Sequence, residues 1–478
     1  MNRAAVCLLA VMAAAIFPFA RAQEGPPASD PRPHAPAAAG AVAAPPPGAA
    51  GMGPDASGAP APASLELGLG GAIERARAAS PRLNRLRALE SAADAGVRGA
   101  RAARLPQVDL LAGYTRYSDV PELTIPQPGA PARTIFPNLP DNFRSRLGLS
   151  VPLYTGGRLA GLVDAAEQER LAAGKDLDAG GADLVLETTL VYWNLVTARE
   201  NARVLQEALA SYDAHLTDAR NRQQFGLAAA NETLAVEVER DRAELGRLQS
   251  LNDAEVANAD LLRLLGLPPG TRVKATEPLA LPAPPSQSLE DLVQAAYLAR
   301  PERSALEARV AAAAAAVRAE RAARLPQASL SAGYDYANPN RRILPPEAIW
   351  EDTWDVSLNL SFSVFDSGRA AAAVARSAAR LEAARQDVED LDRRIRLEVT
   401  ARHLDLQTAA AAVQVAGRGL ESAAENRRVS QDRYRQGVLP SSDLLDAEVA
   451  LLRAGLNRTE ALTRQRLAIA SLERAVGR

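Results

Sequence analysis

Two acidic residues near the carboxyl end of the chain could bind cations, because their spacing puts them on one face of a helix. The stretch Gly437-Val-Leu-Pro-Ser-Ser-Asp443-Leu-Leu-Asp446 places the carboxylates close to one helical turn apart. Carboxylates that share a small volume raise each other's pKa and retain cations. The stretch also suits a helix start, since Ser441 or Ser442 is a good N-cap and acids in a first turn interact favourably with the helix dipole. From these residues alone, cation binding and helix capping are equally well supported.

No other group of residues has the types and spacing of a catalytic or metal site. The histidines His34, His215 and His403 have no partner at metal-ligand spacing, so we expect surface or packing roles for them. The sequence contains no phosphate-cradling glycine loop and no nucleophile elbow. Basic and acidic residues nearly balance, 55 against 57, without a block of like charge. We therefore predict that the protein is not an enzyme and has no metal, no cofactor and no nucleic-acid partner.

The amino-terminal part of the chain is predicted to be an export signal followed by a disordered leader. A basic start, an apolar run over 4–20 and the A-x-A site Ala20-Arg-Ala22 are typical of a cleaved secretory signal peptide over 1–22. The single cysteine, Cys7, lies inside this segment, so the exported chain would contain no thiol. Residues 23–63 are rich in Pro and Ala and bury too little apolar surface to become ordered.

The rest of the chain is predicted to be mainly helical and to contain an internal twofold repeat. The stretch Arg101-Ala-Ala-Arg-Leu-Pro-Gln107 recurs as Arg321-Ala-Ala-Arg-Leu-Pro-Gln327. In each copy the proline ends a helical run, and an alternation of apolar and polar residues follows. We therefore divide the chain into a first repeat over 64–270, a Pro-rich linker over 271–287 and a second repeat over 288–478.

Each repeat is expected to contain one helix of unusual length. The runs 158–225 and 369–436 contain no proline, and at 1.5 Å per residue each would form a rod of about 100 Å. Patterns of this length indicate a coiled coil or a helical array. In the second run, apolar residues recur at intervals of seven, as in the seam of a left-handed coiled coil: Val374, Leu381, Val388 and Ile395.

Each repeat is also expected to contribute two strands to a transmembrane barrel. A period of two covers about 107–117, 142–154, 327–337 and 353–365, with a Pro-rich loop over 118–141. Beyond the signal peptide no apolar run is long enough for a membrane-spanning helix, which leaves a soluble protein or a β-barrel. Strands of about ten residues match the apolar band of such a barrel. Four strands cannot close one, so the barrel requires several copies of the chain.

The alternative for these strands is a small soluble sheet that caps a helical bundle. Rods of about 100 Å are far longer than such a cap requires, which favours the barrel. Three copies of the chain would supply twelve strands, an even number with room for a water-filled lumen. Aromatic residues on or beside the strands are expected to form a girdle at the membrane interface: Tyr114, Tyr117, Tyr334, Tyr336 and Trp354.

The ordered set of motifs resembles the TolC-like outer membrane factor family. The motifs are Ala103-Arg-Leu-Pro-Gln107 and Ala323-Arg-Leu-Pro-Gln327 before the strands, Val151-Pro-Leu-Tyr-Thr-Gly-Gly-Arg158 and Phe362-Ser-Val-Phe-Asp-Ser-Gly-Arg369 after them, and Tyr434-Arg-Gln-Gly-Val-Leu-Pro-Ser-Ser-Asp-Leu-Leu-Asp446 at the last helical turn. The resemblance implies a homotrimer in the outer membrane of a Gram-negative bacterium. Its twelve-stranded barrel would continue into an α-helical tunnel across the periplasm, with the linker at the tunnel's equator. It also implies docking to a periplasmic adaptor protein and an inner-membrane transporter.

The resemblance further implies that the helix tips form a gate at the periplasmic end of the tunnel. The family pattern falls on Gly437, Asp443 and Asp446, so a trimer would hold six carboxylates around one axis, which favours a gating role. Tyr434 falls on a family position that bonds neighbouring helices. Gly226 and Glu232 occupy the corresponding positions of the first repeat and would add carboxylates nearby. Leu439 replaces the arginine of the best-known family member, which predicts a more loosely closed gate.

We therefore predict a passive export duct of a tripartite efflux or type I secretion system, powered by its inner-membrane partner. The alternative is a soluble periplasmic coiled-coil adaptor or scaffold protein. Adaptors of that kind contain a single helical hairpin beside β-barrel-type modules. The duplication and the four strands with lengths that match a membrane favour the duct.

Overall fold

The computed structural model describes residues 64–280 and 287–478. The predicted signal peptide over 1–22 and the leader over 23–63 lie outside the described residues, as do residues 281–286 of the linker. None of the helices within the described residues has the length and apolar character that crossing a membrane requires.

The two halves of the chain repeat the same order of elements, except that β3 and β4 of the first half have no counterpart among the described residues of the second. The first half contains β1 Ser64–Leu67, α1 Leu69–Ala79, α2 Pro81–Ala102, β2 Gln107–Arg116, β3 Leu123–Gln127, β4 Ala130–Phe136, β5 Asp141–Tyr154, α3 Arg158–Gln224 and α4 Ala230–Leu265. The second half contains β6 Arg272–Ala275, α5 Leu289–Ala299, α6 Pro301–Arg321, β7 Gln327–Asn338, β8 Glu351–Ser361, α7 Arg369–Arg435 and α8 Ser441–Val476.

Two helical hairpins dominate the fold. We call α3 with α4 the first hairpin and α7 with α8 the second hairpin. Helices α3 and α7 have 67 residues each, as their proline-free sequences predict. Helix α3 is the central element, because it packs against its own hairpin partner, against α2 and α6, and against α8 of the second hairpin. Its buried stripe includes Leu184, Trp193, Leu205 and Tyr212.

The shorter helices meet end to end halfway along the long ones. Helix α4 ends at Gly266, where a side chain would lie 2.9 Å from Cβ of Ala79 at the end of α1. Helix α8 ends at Gly477, where a side chain would lie 2.9 Å from the carbonyl carbon of Ala299. Both glycines have a positive φ that side chains rarely adopt. Each hairpin therefore abuts the helix pair of its own repeat.

At the other end, four strands form one antiparallel sheet in the order β2-β5-β7-β8. The sheet is open, with β2 and β8 as its edges. Each strand alternates between two faces, and residues in register share a face. The strand-to-helix turns end at Gly157 and Gly368, which have φ values of 88° and 84° and precede the long helices directly.

Three details differ from the sequence-based expectations. The predicted loop over 118–141 contains a hairpin of β3 and β4, and the predicted linker contains β6, which pairs in parallel with β1. Proline residues inside β3 and β4 obscure their alternation, and β6 is too short to show one. The last strand ends at Ser361, earlier than predicted. Strands β2, β5 and β7 lie within a few residues of the predicted ranges, whereas no strand was predicted at β1.

Candidate functional site: the helix tips

The two hairpins turn with the same backbone geometry. Gly226 and Gly437 follow α3 and α7 with φ values of 72° and 76°. The next residue after each glycine donates its N–H to a carbonyl in the last helical turn, Leu227 to Arg222 at 2.8 Å and Val438 to Arg433 at 3.0 Å. This is the Schellman arrangement, in which glycine supplies the left-handed residue that ends a helix. The glycine positions in the sequence therefore indicated both turns.

The predicted gate carboxylates lie beside the second of these turns. Asp443 and Asp446 are both exposed and are three residues apart on α8, whereas Leu444 and Leu445 between them are buried. Asp443 lies in the first turn of the helix and accepts a hydrogen bond from the Ser442 hydroxyl at 3.2 Å. The carboxylates therefore share a face that is free to line a larger assembly.

The serine N-cap considered from the sequence is wrong. Helix α8 begins at Ser441, with Pro440 as its N-cap residue and no side-chain capping bond. The Ser441 side chain is buried and meets Nε2 of His215 at 3.0 Å instead. The Ser441 hydroxyl bonds to a distant residue and not to the backbone of its own helix. The structure therefore supports only the favourable interaction of the acidic residues with the helix dipole.

Tyr434, at the end of α7, is 4% exposed and packs against α3 of the same chain. The guanidinium of Arg222 lies 4.1 Å from the centre of its ring and donates to its carbonyl oxygen at 3.0 Å. The His215 ring meets it edge-on at 5.4 Å. Burial raises the pKa of the Tyr434 phenol, and its hydroxyl has no hydrogen-bond partner within the described residues. Within one chain, Tyr434 contacts α3 through its ring and its carbonyl oxygen, and its family-implied bond between neighbouring helices stays a prediction.

A buried polar cluster, which the sequence did not reveal, lies beside Tyr434 and joins α3 to α8. His215 Nδ1 lies 2.9 Å from Oε2 of Glu448, and the two side chains are 1% and 4% exposed. Glu448 Oε1 accepts from the Ser211 hydroxyl at 2.9 Å. The histidine therefore has a defined hydrogen-bonding role instead of the surface or simple packing role expected for it. One signal was available in the sequence. His215 lies on the apolar stripe of α3, and Glu448 lies on the apolar stripe of α8.

The first tip is closed by a hydrogen bond within its own hairpin, and Arg222 in its last α3 turn also contacts Tyr434 of the second tip. Glu232 is half-buried in the first turn of α4, and Gly226 is exposed. Thr233 donates to Oε1 of Gln223 at 2.8 Å, which closes the turn within its own hairpin. Among the described residues, Glu232 forms no hydrogen bond or ion pair with Asp443 or Asp446. One chain therefore does not bring the two acidic groups of the predicted gate into contact.

The sheet at the opposite end has one apolar and one polar face. Leu110, Leu147, Tyr334 and Trp354 stand in register across the four strands, and Trp354 is 72% exposed. An exposed apolar face of this kind indicates contact with lipid or another protein. Three predicted girdle residues lie near further aromatic or cationic groups: Tyr114 4.9 Å from Phe143, Tyr336 4.9 Å from Trp350, and Tyr117 4.5 Å from the Arg341 guanidinium.

The polar face is held together by ion pairs. Arg146 on β5 donates to Asp335 on β7 and, at 3.1 Å, to Asp355 on β8. Arg144 donates to Asp335 at 2.7 Å. Gly333 leaves the space through which the Arg146 guanidinium crosses β7. These four charged groups are paired with one another, as expected for a surface that faces water inside a barrel.

An open sheet with one lipid-facing side, joined to helical hairpins of this length, defines a subunit of an outer-membrane channel. A family model described as Outer membrane efflux protein matches residues 72–267 and 292–478. The chain therefore belongs to the outer membrane efflux protein family. The predicted fold class, the export-channel function and the outer-membrane location are confirmed, and the soluble adaptor or scaffold is set aside. The family consists of transport channels.

Known relatives and structures agree with this assignment. The chain is 27% identical to outer membrane protein OprJ of Pseudomonas aeruginosa over 351 residues, covering 70% of each protein. It is 22% identical to outer membrane protein TolC of Vibrio cholerae over 407 residues, covering 84% of this chain and 89% of that one. The fold matches a crystal structure of CusC with a TM-score of 0.73 and 20% identity, covering 86% of this chain and 92% of that one.

Proposed function

We propose that three copies of this chain form the export duct and that Asp443 and Asp446 of each copy form a carboxylate ring at its periplasmic entrance. The open edges of β2 and β8 support the trimer, because four strands need further strands to close a barrel. The chain would reach the outer membrane after removal of the signal peptide over 1–22. The Pro-rich linker over 271–287 would lie at the tunnel's equator.

The proposed gate rests on the two exposed carboxylates on α8, those of Asp443 and Asp446. The two carboxylates lie on the same face, next to a turn that ends the longest helix of the repeat. Six such groups around one axis would attract cations and trap multivalent ones. Glu232 and the Gly226 turn of the first hairpin would contribute a second set of carboxylates at the same level, and Tyr434 would anchor the tip of the second hairpin.

The carboxylate ring is tested by measuring whether a trivalent cation blocks the channel. Trimers in a planar lipid bilayer should lose conductance when La³⁺ is added to the periplasmic side. The double substitution Asp443→Asn and Asp446→Asn should abolish that block, because it removes the charge and keeps the side-chain size. Unchanged block in the double variant would refute the ring.

The tips are also proposed to bind a periplasmic adaptor, which connects the duct to an energised inner-membrane transporter. Large apolar side chains are exposed at both turns, Phe225 at 80%, Leu227 at 78% and Val438 at 71%. Such residues suit burial against a partner's helices. Replacing Phe225 and Val438 by Ser should reduce co-purification of the adaptor. Leu298 is 85% exposed and lies on α5, away from the tips, so Leu298→Ser is the matched control.

A further inference from the structure

Arginine residues are concentrated where the helices of each repeat meet the barrel strands. We call the four chain passages at this level the junction: residues 101–107, 154–160, 321–327 and 362–370. The junction contains six arginines, Arg101, Arg104, Arg158, Arg321, Arg324 and Arg369. Its one acidic residue, Asp366, accepts the backbone N–H of Gly368 at 3.0 Å and that of Ala370 at 2.8 Å. The junction therefore has a large excess of positive charge, unlike the chain as a whole.

The fold arranges these arginines across the whole width of the sheet. In both copies of the repeated motif the leucine donates its N–H to the same relative position, Leu105 to the carbonyl of Ala102 at 2.9 Å and Leu325 to that of Ala322 at 3.0 Å. Neighbouring passages also touch, since a side chain at Gly156 would lie 2.8 Å from Cβ of Leu325. Because the strand order is β2-β5-β7-β8, one arginine lies at the helical end of each strand in turn: Arg104, Arg158, Arg324 and Arg369.

Internal ion pairs do not neutralise the junction. Arg101 pairs with Glu167 at 2.6 Å. The other five arginines form no ion pair within residues 64–280 and 287–478, although most of the chain's exposed arginines on the long helices do. Four of these five side chains are exposed, and that of Arg158 is half-buried. Their guanidinium groups are therefore available to an anion from outside the chain.

Helix stability accounts for only some of these arginines. Arg101 and Arg321 lie in the last turns of α2 and α6, where a cation interacts favourably with the helix dipole. Arg158 and Arg369 are instead the first residues of α3 and α7, whose first turns contain no acidic residue. The positive end of the dipole disfavours a cation there. An external negative charge beside Arg158 and Arg369 would offset that repulsion.

Apolar side chains lie directly on the strand side of the junction. Leu153 and Tyr154 end β5 with 55% and 50% of their surface exposed, and Val364 after β8 is 87% exposed. Leu153 and Val364 continue the apolar alternation of their strands, so this surface extends the lipid-facing side of the sheet. Apolar residues next to a row of arginines are typical of a membrane surface, where the arginines lie among the headgroups.

We propose that the junction binds anionic phospholipid headgroups in the periplasmic leaflet of the outer membrane. The helical hairpins extend into the periplasm, so the junction lies at the level of that leaflet. A guanidinium group binds phosphate in bidentate geometry, and clusters of arginines next to a membrane segment favour anionic lipids. Bound headgroups would fix the depth at which the barrel ends and the tunnel begins. The inference concerns the membrane end of the molecule and does not depend on the carboxylate ring.

The experiment measures lipid binding to the purified full-length channel in detergent by native mass spectrometry. The probes are phosphatidylglycerol and phosphatidylcholine with identical acyl chains, which differ in net charge. The parent should prefer phosphatidylglycerol about tenfold, and this preference should weaken as the ionic strength is raised. Arg321→Gln with Arg324→Gln should weaken phosphatidylglycerol binding about tenfold and leave phosphatidylcholine binding unchanged. Each arginine contributes about fivefold to the affinity, and the remaining arginines still bind.

Two further pairs of substitutions separate position from charge. Arg418→Gln with Arg453→Gln is the matched control, because both arginines are exposed, form no ion pair within the described residues and lie on the second hairpin. Arg418 is about 70 Å along α7 from the junction. This control should stay within about twofold of the parent. Arg321→Lys with Arg324→Lys keeps the charge and should stay within about threefold.

Arg369→Gln separates lipid binding from a role in folding, and it replaces the Arg321 and Arg324 pair if that variant does not assemble. It removes a cation that the helix dipole disfavours, so its melting temperature in detergent should not fall. Its affinity for phosphatidylglycerol should still fall about threefold. The inference is refuted if the parent binds both lipids equally, or if the glutamine variants keep the parent's lipid preference. An equal loss in the Arg418 and Arg453 control would also refute it, because net charge alone would then decide binding.

Discussion

The turn from α3 to α4 and the turn from α7 to α8 have the same backbone but different surroundings. Both end a 67-residue helix with a left-handed glycine and the same pair of hydrogen bonds. The first tip is closed by contacts within its own hairpin, such as Thr233 to Gln223. The second tip is fastened to α3 by His215, Glu448 and Arg222.

This difference shows how an internal repeat can acquire two roles without a change of fold. A Schellman turn needs only a glycine and a helix, so duplication preserves it. A buried polar cluster needs particular side chains on two elements, which here are α3 and α8. The two tips therefore differ in their acidic residues, with the buried Glu448 near the second and the half-buried Glu232 at the first.

The largest expected effect comes from removing the buried acid of the second tip. Glu448→Ala leaves the buried His215 and the half-buried Ser211 without their acceptor and should cost about 3 kcal/mol of unfolding free energy. Glu232→Ala at the half-buried position of the first tip should cost less than about 0.5 kcal/mol. Urea denaturation of the purified trimers measures both values. Similar costs would remove the distinction between the tips.

A smaller and equal effect is expected when alanine replaces either turn glycine. Gly226→Ala and Gly437→Ala both force a side chain into the left-handed region and should each cost about 1 kcal/mol. No heavy atom lies close to either position, so strain is the only penalty. The same denaturation experiment tests this prediction. Clearly unequal costs would show that the two backbones are not equivalent.

A still smaller effect is expected when the pH is lowered, because ion pairs also join the second hairpin to α3 at the end far from the tips. Arg474 at the end of α8 donates to Asp183 on α3 at 2.6 Å and to Glu302 on α6. Burial raises the pKa of Asp183, but hydrogen bonds and charge from Arg474 and Arg82 outweigh it and hold the pKa below its usual value. The pKa of Glu302 is lowered by Arg474 in the same way, against the effect of burial.

Lowered carboxyl pKa values stabilise the folded state above the ordinary carboxyl range, and this stability is lost as pH falls through the lowered values. Thermal melting of the trimer should therefore shift downward on acidification. Asp183→Asn should reduce that shift. The free energy of unfolding involved is less than about 1 kcal/mol, because the side chain is partly exposed to solvent. At the other junction, Gly266 packs against Ala79 without charge, so Ala79→Ser should leave the pH dependence unaltered. An unchanged pH dependence in Asp183→Asn would contradict this account.

The smallest expected effect comes from adding a charge to the second turn. Leu439 is half-buried beside the gate carboxylates and stands where the family resemblance places an arginine. Leu439→Arg should lower the resting open fraction about threefold, because a cation at the tip pairs with nearby carboxylates. Ala228→Arg is the corresponding change at the first turn and should have little effect. Equal effects at both turns would argue that neither tip is specialised.

The elements that sequence predicted well are those that depend on local rules. Proline-free runs, the glycines of the two turns and the Leu-Pro junctions fix the long helices and the four barrel strands with little help from distant residues. The exposed positions of Asp443 and Asp446 followed from the helical period. The hairpin of β3 and β4 was missed because its prolines mask the alternation that normally identifies strands.

The buried polar cluster could not be predicted because its members are far apart in the sequence. A histidine on an apolar stripe signals a buried polar group, but nothing near His215 specifies that its partners are Ser441 and Glu448. The same long-range contact overturned the N-cap role of Ser441, which is a sound local inference. Packing of two helices from different repeats decided both outcomes.

The central claim is that the carboxylates of the second tip control the entrance. The direct measurement is the concentration of La³⁺ that halves the conductance from the periplasmic side, in the parent trimer, in Asp443→Asn with Asp446→Asn, and in Glu232→Gln. We predict an increase of more than about tenfold in the double variant and a change of less than about threefold in Glu232→Gln. Equal sensitivity of the parent and the double variant, or a greater loss in Glu232→Gln, would contradict the account.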